Sequence, residues 1–576
     1  MPTQRAFLSP ERRKRREHPQ VPRCGSRFSL AKVPRPLELA LVALVLVNAG
    51  CASLGRRIAT HGGQRRAGLE ASLVCALDEY RASVPGLMRK HTIPGCAMAL
   101  VDAQGILWTE GFGCADSREK RPVTPATLFS VMSISKTFTA VAVLLAVQEG
   151  LLDLDEPITT YLPDFQLNSR YEENPERKVT LSHLLSHTSG LQQDAPVGNA
   201  AEPTGSFEER VRSLYGTWLR FPVGEACAYS NAGVDLAGYV LQVVTGLSFE
   251  QCLRQRLFSP LGMCHSTADR QEFLEETDRA VGHTVGIRHT SFPGPALASA
   301  GLYSGAAELA RFVQMNLNHG NVNGAPLLEK TFLDGMAVAH ASRGLPNEPE
   351  AFCGLGLMLK GVHRPEADRA DLLVSHGGGG AGCTTLMYWY PEYGFGGVAL
   401  SNRHPNPEFE EVALRLPNLL IDHGLVARRF QHVWSQRPRC VGPFSGWPGP
   451  RPTASRENEW RKYAGTYRFK FSGYEFKGYA RVVIGLGIGS VTPSIRISLR
   501  DGIPWVKESR FFAHAFGTAP LKRELEEIKP GLFFTSTGDC LDFTGDVPRY
   551  NNYRIEKRRD WTLFGGRGTG GRQASQ

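Results

Sequence analysis

Ser133 and Lys136 are the residues whose types and spacing point most directly to chemistry. Three positions apart on a helix, they share one face, so the lysine amine can reach the serine hydroxyl. The run from Ser135 to Gln148 is apolar on nearly every face and is stopped by Gly150, which predicts a buried helix opened by the pair. Burial disfavours an ammonium and lowers its pKa, so Lys136 can take the serine proton and make Ser133 an acyl-accepting nucleophile. The helix N-terminus also offers backbone N–H groups to a developing oxyanion. The same spacing occurs at Ser29/Lys32 in a basic leader and at Ser117/Lys120 in a charged loop. At Ser133 alone does it open an apolar helix.

Two further groups could complete such a site. Tyr229-Ser230-Asn231 follows Pro222-Val223-Gly224 and opens a helix. Its tyrosine hydroxyl could relay protons beside Lys136, and its asparagine could hold a substrate amide. Tyr550-Asn551-Asn552 has the same spacing, so the tripeptide is weak by itself. The run His376-Gly377-Gly378-Gly379-Gly380 leads into a strand, where glycines let a substrate lie against backbone. A phosphate loop would need Gly-Lys-Ser/Thr and a following helix, and neither is present. His183 and His187 have the i, i+4 spacing of metal ligands, although a structural role fits them better. No Cys-x-x-Cys pair occurs among the 12 cysteines, so neither a metal site nor a cofactor is expected.

The elements that must position these groups alternate along the chain. Ile93–Asp102 and Gly105–Gly113 read as strands joined by a hairpin turn. A long helical middle follows, including a helix from Asn231 with Val234, Leu236, Val240, Leu241 and Val244 on it, closed by Gly246. Cys383–Tyr390 and Gly396–Ser401 read as strands, and Phe409 to His423 as a helix. Strands at both ends with helices between them imply an α+β fold, an antiparallel sheet flanked by helices. Residues 429–457 are rich in Pro, Gly and Trp and read as a linker. Short strands after it, among them Tyr463–Phe471, Ala480–Ile484, Ile495–Leu499, Phe511–Phe516 and Leu532–Phe534, predict a small all-β, barrel-like C-terminal domain. The expected organisation is a basic segment 1–36, an apolar segment 37–54, a catalytic domain 68–428, the linker, a β domain 458–556, and a Gly/Arg-rich tail 557–576.

Composition narrows the function classes. The chain has 576 residues, 42% of them hydrophobic, and a formal net charge of +10. That charge sits at the ends: residues 1–36 hold ten Lys and Arg against two acids, and residues 557–576 hold five against one. The body is nearly neutral and carries no basic stripe interleaved with aromatics, which argues against nucleic acid. The apolar run Leu39 to Val47 behind the arginine-rich leader is short for a bilayer span and fits a signal peptide or signal-anchor. Ala49-Gly50-Cys51 also allows a lipoprotein site, and the leader allows a mitochondrial presequence. Membrane-anchored or secreted placement is the expectation.

In this order and context, the three motifs resemble the serine β-lactamase and penicillin-binding-protein superfamily, nearest the class C, D-alanyl-D-alanine carboxypeptidase and esterase branch. The resemblance extends to Phe129-Ser130-Val131-Met132, Leu181–Gly190, Pro260-Leu261-Gly262-Met263 and Ala300–Ser304, and covers about residues 70–428. It implies that Ser133 attacks an acyl carbon, that Lys136 and Tyr229 move protons, and that Asn231, His376, Gly377 and Gly378 contact substrate. The oxyanion would rest on the N–H groups of Ser133 and Gly379. The C-terminal part resembles a lipocalin-like module. Where the family has Lys-Thr-Gly, this chain has His376-Gly377-Gly378, losing a cation and a hydroxyl that bind a substrate carboxylate. An ester or peptide substrate is therefore expected, with a true β-lactamase or D-alanyl peptidase as an alternative. A non-catalytic assembly protein, possible as a homo-oligomer, is the reading from another class.

Overall fold

The computed structural model describes residues 61–199, 203–284, 287–289, 294–343, 350–364, 369–430, 457–469, 494–500, 503–508, 522–535 and 538–557. The basic leader, the apolar 37–54 segment, most of the linker, nearly all of the tail, and the expected strands Ala480–Ile484 and Phe511–Phe516 lie outside the described residues. The described residues from Ser72 onward form one compact unit.

Nine strands form one antiparallel sheet: β1 (Gly95–Asp102), β2 (Ile106–Asp116), β3 (Arg121–Pro122), β4 (Ala341–Ser342), β5 (Ala351–Cys353), β6 (Met358–Arg364), β7 (Arg369–Gly380), β8 (Cys383–Tyr390) and β9 (Phe395–Ser401). Their spatial order is β4-β5-β6-β7-β8-β9-β1-β2-β3, so the N-terminal hairpin closes onto the last strand through pairs such as Ala99↔Val398. The central strands β1 and β9 are buried on both faces, which is why they read as continuous apolar runs rather than alternating ones. One face packs residues from Ala76 to Met88 of a long N-terminal helix and the C-terminal helices Phe409–Ala413 and Arg415–Asp422. The expected single helix from Phe409 is thus two, broken at Leu414 ahead of Pro417, whose ring cannot continue a helix interior.

The other face carries the helical region. Its centre is α1 (Ser135–Gln148), buried along nearly its whole length and preceded by a 3₁₀ turn, Met132–Ile134, that holds Ser133. Beside it runs α2 (Asn231–Thr245), capped by the Ser230 hydroxyl and closed by Gly246 at φ +66°. Phe138 stacks on Phe312 of the helix Ala306–Leu317 at 4.1 Å, fixing α1 against the sheet layer.

Eight further strands close a separate small barrel: β10 (Gly465–Phe469), β11 (Ser494–Arg500), β12 (Ile503–Glu508), β13 (Lys522–Lys529), β14 (Leu532–Thr535), β15 (Cys540–Asp542), β16 (Arg549–Tyr550) and β17 (Tyr553–Lys557). Strand β17 returns to β10 through Tyr467↔Lys557, and Trp460, Tyr467, Phe533 and Tyr550 lie in the barrel's core. The architecture is therefore α+β with an all-β barrel appended.

Candidate active site

The 3₁₀ turn presents Ser133 at the mouth of the helical layer, partly exposed, while Lys136 one turn later is fully buried. Met132, just before the nucleophile position, has φ +50°, a left-handed backbone that a side chain adopts at a cost of roughly 1–3 kcal/mol. The Ser135 hydroxyl donates to the Met132 carbonyl at 2.6 Å and helps hold that conformation.

Lys136 Nζ lies 3.2 Å from Ser133 Oγ, 2.7 Å from Asn231 Oδ1 and 2.8 Å from the Ser299 carbonyl. Two of these partners are pure acceptors and one is a hydroxyl. A neutral amine satisfies all three, donating twice and receiving the serine proton on its lone pair. Burial is the dominant influence on this lysine and lowers it from 10.5 to about 7; Asp235 and Asp194 push upward, and Arg210 pushes down again. The amine also sits 4.7 Å over the Tyr229 ring.

Tyr229 rests against His187 at 4.5 Å between ring centres, and His187 Nδ1 accepts the Ser230 N–H at 3.2 Å. Burial raises the Tyr229 phenol, against the opposing effect of its hydrogen bond to Ser133, so it stays protonated at neutral pH. Burial also holds His187 well below its ordinary value. His183 has different work: its Nδ1 accepts the Thr180 N–H in the capping box of the short helix Leu181–Leu185. The i, i+4 histidines thus serve a cap and an aromatic support.

The glycine run departs from expectation. It leads into β8, as expected, but is itself strand and forms the end of β7, with Gly378↔Thr385 and Gly380↔Cys383 paired to β8. Pairing of β7 with β6 stops at Ser375, so from His376 onward the opposite edge has no ladder partner among the described residues. The reason for glycine is steric. A Cβ at Gly378 would meet the Val131 carbonyl oxygen at 2.2 Å, and one at Gly380 would meet Met132 Cε at 2.5 Å. Only bare backbone lets this edge lie against the turn holding Ser133. Thr385 Oγ1 ties the two together by donating to the Val131 carbonyl at 3.0 Å.

Exposure alternates along this edge, with His376 and Gly378 buried and Gly377 and Gly379 exposed. His376 Nδ1 donates to the Gly377 carbonyl at 2.7 Å, leaving Nε2 as a bare lone pair with no partner among the described residues. Burial, then the nearby Lys136, lowers His376 to about 3, so it is an uncharged acceptor at neutral pH.

All the expected site residues therefore converge on one place. Asn231 differs in use from expectation: its Oδ1 holds Lys136, and its Nδ2 donates to Asp194 Oδ1 at 3.2 Å. Behind it lies a set of residues that sequence reasoning missed. Asp194 Oδ1 pairs with Arg210 Nη2 at 3.0 Å, and Arg210 Nε pairs with Asp235 Oδ2 at 2.7 Å. Asp235 accepts from the Ser299 N–H at 2.8 Å and its hydroxyl at 3.0 Å. Lys136, Asn231, Asp194, Arg210, Asp235 and Ser299 thus make a closed hydrogen-bonded ring, buried except at half-buried Asn231. The available signal was Asp235, a lone charge within the apolar helix α2.

Comparison with known proteins agrees with this geometry. The Beta-lactamase family model matches residues 80–420. A Beta-lactamase of Escherichia coli (strain K12) is 28% identical over 370 residues, which cover 60% of this chain and 93% of that protein. Penicillin-binding protein 4* of Bacillus subtilis (strain 168) is 27% identical over 352 residues, covering 57% and 72% respectively. Protein flp of Staphylococcus aureus (strain MW2) is 30% identical over 199 residues, 34% of this chain and 39% of that one. Among solved structures, the octameric penicillin-binding protein homologue from Pyrococcus abyssi is similar in fold, with a TM-score of 0.52 at 20% identity over 83% of this chain and 99% of that one. These relationships support a serine hydrolase of the acyl-enzyme type, and the chain belongs to the Beta-lactamase family.

Proposed function

We propose that the chain hydrolyses an ester or a peptide-like amide through an acyl-enzyme on Ser133, and that carboxylated β-lactams are poor substrates. The observation that carries this reading is a fully buried Lys136 whose Nζ lies 3.2 Å from Ser133 Oγ, a setting in which burial favours the neutral amine next to the nucleophile. Lys136 takes the hydroxyl proton as Ser133 Oγ bonds to the acyl carbon, and the oxyanion is received by the N–H groups of Ser133 and Gly379. The proton passes through Lys136 and the Tyr229 phenol to the leaving group as its bond to the acyl carbon breaks. Water, giving its proton to the same pair, then releases the acid and restores the serine.

Substrate preference follows from the β7 edge. A buried, neutral His376 presents no cation to a carboxylate, and Gly377 presents no hydroxyl. Exposed Gly377 leaves room beside it, with the nearest atom to a Cβ at 3.4 Å. Placement outside the cytosol through residues 37–54, and assembly into a homo-oligomer like the octameric archaeal homologue, belong to the same proposal. The test is intact-protein mass spectrometry after incubation with a p-nitrophenyl acyl ester or with a penicillin, using Ser133→Ala as control. An ester adduct that the control lacks, with slow or no penicillin adduct, is expected. Preferential labelling by penicillin would reverse the substrate assignment.

A further inference from the structure

The C-terminal barrel docks against the loop that carries Asp194. Glu526 pairs with Arg170 at 2.7 Å, Asp539 with Arg220 at 3.2 Å, and Phe534 meets Trp218 edge-on at 5.7 Å. Gly538 approaches the Arg220 backbone so closely that a Cβ would come within 1.9 Å of its carbonyl oxygen. From the turn between β16 and β17, Asn552 Nδ2 donates to the Asp194 carbonyl at 3.0 Å, and from β16 Arg549 Nη1 donates to the Pro196 carbonyl at 3.4 Å. The Tyr553 hydroxyl, at the start of β17, then donates to Asp194 Oδ2 at 2.6 Å. Tyr553 is buried, 3% exposed.

We infer that Tyr553 is a positioning residue for Lys136, which makes the barrel a working part of the catalytic centre rather than an appended module. The inference rests on the hydrolase reading above. Asp194 Oδ1 is shared between Arg210 and Asn231, while Oδ2 receives Tyr553. One barrel hydroxyl therefore sets the rotation of the carboxylate that orients the Asn231 amide, whose oxygen in turn holds Lys136 beside Ser133. The same loop seats α2 directly, because Asn231 N donates to the Gln193 carbonyl at 2.8 Å and Ser230 Oγ to the Gln192 carbonyl at 2.7 Å. A chain of four hydrogen bonds thus runs from the barrel to the nucleophile.

Removing the hydroxyl has a predictable electrostatic sign. Its O–H points its positive end toward Asp194, and that carboxylate favours the Lys136 ammonium. The other groups around Lys136 are Asp235, Arg210, the Tyr229 ring and the neutral His187 and His376, and Tyr553→Phe changes the charge of none of them. With the dipole gone, the ammonium is favoured more, and the acid limb of activity moves to higher pH.

The experiment compares full-length parent, Tyr553→Phe, Glu526→Gln and Ser133→Ala in hydrolysis of a p-nitrophenyl ester as a function of pH, with melting temperatures alongside. Tyr553→Phe is expected to lower kcat about tenfold and to shift the acid limb upward. Glu526→Gln, which loosens the same interface without touching Asp194, is expected to keep the parental limb. An unmoved limb in Tyr553→Phe, whether or not rate and melting temperature fall, would overturn the inference. Hydrolysis that survives in Ser133→Ala would instead overturn the reading of an acyl-enzyme on Ser133.

Discussion

The two sides of the candidate site are built on opposite plans. On the nucleophile side, six residues close a ring, buried except at half-buried Asn231, in which Lys136, Asn231, Asp194, Arg210, Asp235 and Ser299 partner one another. On the facing side, the end of β7 leaves a backbone edge unpaired among the described residues, and His376 Nε2 has no partner there. A satisfied network in a low dielectric is rigid, and half-satisfying it is costly. An unpaired backbone edge without charge gains its partners only when something binds. The difference separates proton transfer, fixed by the ring, from substrate choice, left to the glycine edge.

The comparison can be broken most severely at Lys136. Lys136→Ala is expected to slow Ser133 acylation by about 10²–10⁴-fold, measured by stopped-flow with a chromogenic ester. Next comes Asp235→Asn, which leaves the fully buried Arg210 short of one counter-charge; a loss of about 3–5 kcal/mol in urea unfolding is expected. On the open side, Gly378→Ala drives a methyl into the Val131 carbonyl and is expected to cost about 1–3 kcal/mol, with loss of turnover. Gly377→Thr, by contrast, brings its Cβ to ordinary van der Waals contact, 3.4 Å from the Thr385 carbonyl oxygen, and should change stability by about 0.5 kcal/mol or less, while raising the rate of penicillin acylation. If Gly377→Thr destabilised as much as Gly378→Ala, the distinction between spaced and crowded glycines on β7 would be lost.

How much was legible in the sequence follows from how local each feature is. Ser133 and Lys136 were readable because a helical turn brings them together, and the limits of α1 and α2 because Gly150 and Gly246 end them at positive φ. The antiparallel sheet and the barrel were readable from strand spacing and turn residues. The ring was not, because Asp194, Arg210, Asp235 and Ser299 come from separate segments whose meeting depends on tertiary packing. The glycine run was read as leading into a strand, and that it is itself strand was not legible: four glycines carry no side-chain pattern, and what makes them strand is pairing with Cys383 to Leu386 on β8. Asn552 carried a hint of function only as a chance match to the Tyr-x-Asn spacing, and its role emerges from the docked barrel.

The central claim is that Ser133 is activated by a lysine that is neutral near physiological pH. It is tested most directly by the pH dependence of Ser133 acylation, followed as the burst of p-nitrophenol from an activated ester and confirmed by peptide mapping. The account predicts that the rate climbs as pH rises through about 7, where Lys136 loses its proton, and levels off above that. A rate that stays flat between pH 5 and 9, or an acyl group mapped to a residue other than Ser133, would contradict it.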